Sequence, residues 1–253
     1  MDVVATAHQI HRAHQQSRCL PATDVEVGDL ASAYLVQAAL TELRRSNGAT
    51  RIGWKLGYTS RAMRDQMGVL EPNFGPLLSS MVLEDAGAVA HGLIHPRVEP
   101  EVALVLGATV GPGAGTEEVL DRCRSAHAAL EVVDSVWCGY EFDLAHNTAD
   151  GSSAAHVVLG PPIPLESLAD VEVALYADGV VAGRGRGRDA AGHPAAAVAW
   201  LAEALAASGC GLGAGDVIIT GGLTAAVPLE PGGSVHAEFR PPGLGPLLVG
   251  VTR

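Results

Sequence analysis

Lysine occurs once in the 253 residues, at Lys55, and every other member of the 16 Lys and Arg is an arginine. Positive charge is scarce altogether, because 28 acidic side chains outweigh those 16 and leave a formal net charge of −12. Binding to nucleic-acid phosphates or anionic membranes draws on Lys and Arg, so neither is expected as the main partner. An anionic substrate would need locally placed cations or a metal. The four cysteines, Cys19, Cys123, Cys138 and Cys210, form no Cys-x-x-Cys pair. That removes a zinc knuckle, suggests no disulfide framework, and makes a reduced, cytoplasmic setting the expectation. No uninterrupted apolar run reaches membrane-spanning length. The first residues carry His8, His11, Arg12 and His14 where an export signal has an apolar core.

Other absences narrow the chemistry. There is no Gly-x-Ser-x-Gly elbow for a serine hydrolase and no internal repeat. The histidines lack triad or metal-ligand spacing, and His8, His11 and His14 read as a polar stripe on one helical face. Gly183-Arg184-Gly185-Arg186-Gly187-Arg188 lacks the Gly-Lys-Ser/Thr ending of a phosphate loop and reads as a solvated loop.

The residues present divide into two textures. Val3 to Ser17 and Val27 to Ser46 have helical spacing, the second with Val36, Leu40 and Leu43 along one stripe and Asn47-Gly48 as a stop. From Arg51 the chain turns to short apolar runs broken by Gly and Pro: Arg51 to Gly57, Gly87 to His91, Val102 to Leu106, Ala129 to Val133, Ala155 to Leu159 and Val171 to Tyr176. Asp178-Gly179 marks a tight hairpin turn, and a third helix is expected from about Pro194 to Ser208, with Gly209 beyond its end. Further apolar runs follow at Val217 to Ile219, Val235 to Phe239 and Leu247 to Val249. The expected fold is α+β: a helical region at residues 1–50 and a β-rich body at 51–253, in one continuous domain.

Carboxylates give the body its chemistry. Glu99 and Glu101 lie two apart at the head of an apolar, β-branched run, so on a strand they share one face. Glu131 and Asp134 sit in a second apolar run, where an unpaired charge would cost several kcal/mol or stay protonated. Clustered oxygen donors without Cys or His favour a hard ion, Mg²⁺ or Mn²⁺. The simpler alternative places Glu99 and Glu101 on the solvated face of an edge strand, with Glu131 paired to an arginine.

Arg51-Ile-Gly-Trp-Lys-Leu-Gly-Tyr-Thr-Ser60, Gly68 to Leu77, Val98-Glu-Pro-Glu101 and Leu130-Glu-Val-Val-Asp-Ser135 occur in the order seen in one family. With Ala149-Asp150-Gly151-Ser152-Ser153 and Gly215 to Gly221, the chain resembles the 2-keto-4-pentenoate hydratase and 4-oxalocrotonate decarboxylase family of the fumarylacetoacetate hydrolase superfamily. The resemblance implies a β roll or sandwich of the fumarylacetoacetate hydrolase C-terminal type. It implies Mg²⁺ or Mn²⁺ held at Glu99, Glu101 and Glu131, and catalysis by Lys55 and Asp150. Substrate contacts are implied at Glu71, Asn73, Ser152, Ser153 and Thr220, with Thr220 otherwise closing a turn.

Three departures stand out: Asn73 replaces a frequent Asp, Gly151 an Asn, and Val136 a common Arg. The implied activity is hydratase-type lyase chemistry on an unsaturated 2-keto acid. Decarboxylation of a 2-oxo-enedioate is the alternative, and a divergent biosynthetic or inactive member the third reading. Family relatives form homo-oligomers, and the same is expected here.

Overall fold

The structure is a computed structural model that describes residues 1–46, 48–61, 64–65, 68–89 and 92–253. The predicted stop residue Asn47 and the run-end His91 lie outside the described residues. Helix α1 (Val3–Gln15) starts at Asp2, whose carboxylate accepts the N–H groups of Val4 and Ala5. Helix α2 (Leu30–Arg45) begins three residues later than its apolar spacing suggested. Asp29 is the reason, because its side chain accepts the Ser32 N–H at 2.9 Å and fixes the first turn there. Ala7, Ile10, Ala13, Val36 and Leu40 pack with Trp137, Val136 and Ala149 in a core of their own. The helical layer is thereby fastened to the body by buried apolar area.

Strands β1 (Arg51–Gly57), β2 (Asn73–Leu78), β3 (Val82–Leu83) and β4 (Gly87–Ala88) lead to two long, paired strands. These are β5 (Arg97–Leu106) and β6 (Cys123–Val133), joined through α3 (Thr116–Arg122). Both begin several residues before their apolar runs, and in β5 the polar residues at the head, Arg97 and Glu99, line the site described below. After α4 (Leu144–Ala149) come β7 (Ala154–Ile163), β8 (Glu172–Ala177), β9 (Val180–Arg186), α5 (Pro194–Ala207), β10 (Val217–Ile219), β11 (Val227–Pro228), β12 (Ser234–Arg240) and β13 (Leu247–Thr252).

One mixed sheet runs β2-β1-β10-β5-β6-β7-β3, with β11 also on β5, and a second runs β4-β13-β12-β8-β9. The main core includes Leu104, Leu130, Leu175, Phe239 and Val249 from the strands of both sheets and Val198 and Leu201 from α5. The α+β reading with a β-rich body therefore holds. No described helix is long and apolar enough to cross a membrane.

Three expectations are corrected. The Gly-Arg repeat is mostly strand, with β9 ending at Arg186 and pairing with β8 across the Asp178-Gly179 turn. A Cβ on Gly185 would sit 1.9 Å from the Leu223 carbonyl oxygen, so glycine alternates with arginine because one face abuts backbone. Cys19 and Cys138, 119 residues apart, form a disulfide. Their neighbours Leu20 and Trp137 form a parallel bridge that brings the thiols together, a pairing no local spacing reveals. The histidine stripe is not all surface, since His14 reaches Asp150 at 2.6 Å.

Candidate metal and acid–base site

The register of β5 on β6 sets Glu99 directly opposite Glu131, with Glu101 opposite Ala129. Glu101 and Glu131 are fully buried and Glu99 is partly so. The three carboxylates offer oxygens that all lie within 4.8 Å of one another. Like charges facing across a strand pair repel, and burial deepens the penalty. Burial, then the Glu131 carboxylate, pushes Glu99 up to about 7 against the pull of Lys55 and Arg97. Glu101 is raised well above the usual carboxylate range by burial and by Glu131 and Glu99.

Among the described residues Glu101 Oε1 and Glu131 Oε1 have no hydrogen-bond partner. Glu101 Oε2 accepts the Gly221 N–H at 2.7 Å. An orphaned set of hard oxygen donors fits Mg²⁺ or Mn²⁺ and offers nothing to a soft metal.

Lys55, in the middle of β1, stands beside this cluster with its Nζ 3.2 Å from Glu131 Oε2. Burial alone would lower its pKa, but Glu131, Glu101 and Glu99 outweigh that and hold the ammonium above its ordinary value. Its remaining protons go to Ser152, at 2.8 Å to the carbonyl and 3.2 Å to the hydroxyl. The Ser152 hydroxyl donates to Asn73 Oδ1 at 3.0 Å, and the Asn73 amide donates to Asn147 Oδ1 and Thr148 Oγ1, both at 2.9 Å. Asn147 Nδ2 then donates to Ser153 Oγ at 3.1 Å. With Lys55 as ammonium, these bonds run in one direction, from Lys55 through Ser152 and Asn73 to Asn147 and Ser153. Asn73 thus serves as a neutral link, accepting from one side and donating to the other.

The turn that carries Ser152 and Ser153 is unusual. Gly151, Ser152 and Ser153 have φ of 73°, 55° and 59°, left-handed values that serines adopt at a cost. A Cβ on Gly75 would lie 2.1 Å from the Gly151 carbonyl oxygen, so β2 must offer bare backbone there. Asp150 stands behind this turn rather than beside Lys55. It is fully buried outside the cavity wall, bound to His14 Nε2 at 2.6 Å and the Val136 N–H at 2.9 Å, with Arg44 at 3.8 Å.

Glu71 is exposed and Thr220 donates to the Val102 carbonyl at 3.0 Å, and neither lines the cavity. Asp134 accepts the N–H groups of Ile94 and His95, which makes it a loop anchor. The structure therefore gathers Lys55, Asn73, Ser152, Ser153 and the three glutamates, and leaves Glu71, Asp150 and Thr220 outside.

A cavity of about 420 Å³ opens onto Lys55 and Glu99, with Ser152, Ser153 and Asn147 on one wall and Tyr58, Tyr140 and Phe142 among the others. Residues 68–252 match the family described as fumarylacetoacetate (FAA) hydrolase C-terminal. The chain belongs to the fumarylacetoacetate hydrolase family. Within it, the chain is 34% identical over 247 residues to the 4-oxalocrotonate decarboxylase of Pseudomonas sp. (strain CF600), covering 94% of this chain and 93% of that protein. It is 37% identical over 217 residues to the 2-keto-4-pentenoate hydratase of Burkholderia vietnamiensis (strain G4 / LMG 22486), covering 84% and 83%. The structure of 4-oxalocrotonate decarboxylase from Pseudomonas putida G7, complexed with magnesium and adipate, matches with a TM-score of 0.92 at 33% identity over 99% of this chain and 96% of that one.

Sequence reasoning missed several groups that stand around this cluster. Arg97 could have been found by alternation, being two positions before Glu99 on the same strand face. The Gly221 N–H followed from nothing local, and Tyr140 and Asn147 arrive from separate loops.

Proposed function

We propose that this member of the fumarylacetoacetate hydrolase family is a divalent-metal-dependent lyase acting on an unsaturated 2-keto acid, adding water to the chain after the enol form is ketonised. The observation that carries this reading is the trio of clustered glutamates, two of them fully buried, with Lys55 held between Glu131 and Ser152. Glu99, Glu101 and Glu131 would hold Mg²⁺ or Mn²⁺, the ion supplying Lewis-acid stabilisation of negative charge on the keto-acid oxygens.

The protein's own groups do the rest. Lys55 Nζ carries the proton available for the substrate carbon chain, and Glu131, 3.2 Å away, favours the return of the ammonium form. Ser152 and Asn73 fix the direction in which Lys55 points its hydrogens. Tyr58, Tyr140 and Phe142 offer flat apolar walls to a conjugated chain, while Ser153 and Asn147 present hydroxyl and amide to a reacting water.

Decarboxylation of a 2-oxo-enedioate is a second reading, favoured by the near full-length match to a 4-oxalocrotonate decarboxylase and by a cation in the cavity wall at Arg97. An ultraviolet assay with Mg²⁺ or Mn²⁺ on 2-hydroxypenta-2,4-dienoate and on 2-oxohex-3-enedioate, with products analysed for added water and released CO₂, tests both. Metal-dependent hydration supports the first reading and CO₂ release the second. Turnover that survives complete removal of divalent metal contradicts both.

A further inference from the structure

Arginines around the site are mostly engaged. Arg64 donates to the Tyr58 and Thr59 carbonyls, Arg188 pairs with Asp170, Arg61 lies 3.8 Å from Asp65, and Arg44 faces Asp150. Arg97 differs. It lines the cavity, and among the described residues its side chain makes no ion pair and no hydrogen bond. Its guanidinium lies over the Tyr140 ring, 4.2 Å from the centroid. That ring is itself fixed, with its hydroxyl 3.2 Å from the carbonyls of both His95 and Val133. A guanidinium held over a fixed aromatic face by a cation–π contact still has its N–H groups to offer to a planar anion.

Position adds the second argument. Arg97, Glu99 and Glu101 alternate onto one face of β5, and a rise of about 3.3 Å per residue sets Arg97 roughly 7 Å from Glu99 along the strand. Among the described residues Lys55 and Arg97 are the two cations in the cavity wall, and Lys55 is committed to Glu131 and Ser152. The cavity thus has a carboxylate cluster at one end and an uncommitted guanidinium farther along the same strand.

We infer that Arg97 is a specificity-determining residue that binds a second, distal carboxylate of the substrate, so that the site selects unsaturated 2-keto dicarboxylates over monocarboxylates. This rests on the lyase reading above for the orientation of the keto-acid end. A bidentate guanidinium–carboxylate pair in a partly dry pocket is a strong contact, and its loss is selective for ligands carrying the second carboxylate.

Calorimetry with adipate and with hexanoate in the presence of Mg²⁺ tests the inference without turnover. Wild-type protein should bind adipate roughly tenfold or more tightly than hexanoate. Arg97→Met should erase that preference while leaving hexanoate affinity unchanged, and Arg97→Lys should keep part of it. The unfolding midpoint of each variant reports whether it folds. No adipate preference in wild type, an adipate affinity untouched by Arg97→Met, or an equal loss for both ligands overturns the assignment. Adipate preference that depends on Arg97, in a protein that turns over neither of the two assay substrates, sinks the lyase reading and leaves the distal carboxylate site standing.

Discussion

At Lys55 a single side chain serves two neighbours of opposite character. Glu131 holds its charge, and the Ser152–Asn73 chain holds its direction. Lys55→Met should therefore retain divalent-metal binding, seen by calorimetry, while kcat falls by about 10²–10⁴. Equal turnover would reassign Lys55 to structure. Asn73 presents a different case, because it both accepts from Ser152 and donates to Asn147 and Thr148. Asn73→Asp removes those donations and sets another carboxylate on the Lys55 chain. The expected outcome is a changed pH–rate profile at little cost in metal affinity, and a profile superposable on wild type would contradict the relay. The glutamates and Lys55 were legible because alternation and the uniqueness of the lysine are written locally. The departures at Asn73 and Gly151 were visible as residues, but what they do depends on a left-handed turn that only the fold reveals.

Among the elements, α5 shows how local chemistry sets a boundary and a pH response. His193 caps it by accepting the Ala195 N–H on Nδ1 at 3.0 Å, and Pro194 opens the first turn. The acceptor nitrogen must be unprotonated, and burial holds the His193 pKa below its ordinary 6.5. The unfolded imidazole takes a proton more readily than the folded one, so the cap's contribution is present above about pH 6.5 and is lost as the pH falls. His193→Asn keeps an acceptor without a titrating ring, and its unfolding midpoint should decline less than wild type between pH 8 and pH 5. His193→Ala should cost about 1 kcal/mol at pH 8. Parallel decline of wild type and His193→Asn would remove His193 from the pH response. Helix positions and the Asp178-Gly179 hairpin were readable because caps and turns lie within a few residues. The strand character of the Gly-Arg repeat was not, since the Leu223 carbonyl that demands Gly185 is distant in sequence.

For the whole molecule, the N-terminal helices are bound to the catalytic body by more than apolar packing. The Cys19–Cys138 disulfide and the His14 and Arg44 contacts to Asp150 converge just behind the Gly151–Ser153 turn. Cys19→Ser with Cys138→Ser should lower stability by about 2–5 kcal/mol, read by denaturant unfolding. Wild type treated with a reductant should behave as that variant, and no difference in either comparison would show that the bridge does not stabilise the fold. Composition and periodicity gave the two textures and the α+β class. Which cysteines meet, and that Asp150 faces the helices, are consequences of tertiary closure.

The carboxylate cluster is the claim on which the chemistry depends. Titration of Mn²⁺ into wild-type protein and into Glu101→Gln, followed by calorimetry, addresses it directly. The expected result is a single saturable site in wild type that is lost in the variant. Without metal, the Glu101→Gln unfolding midpoint should be equal to or above that of wild type, because a neutral amide relieves buried like-charge repulsion. Undiminished Mn²⁺ binding by Glu101→Gln would contradict the assignment of Glu99, Glu101 and Glu131 as the metal centre.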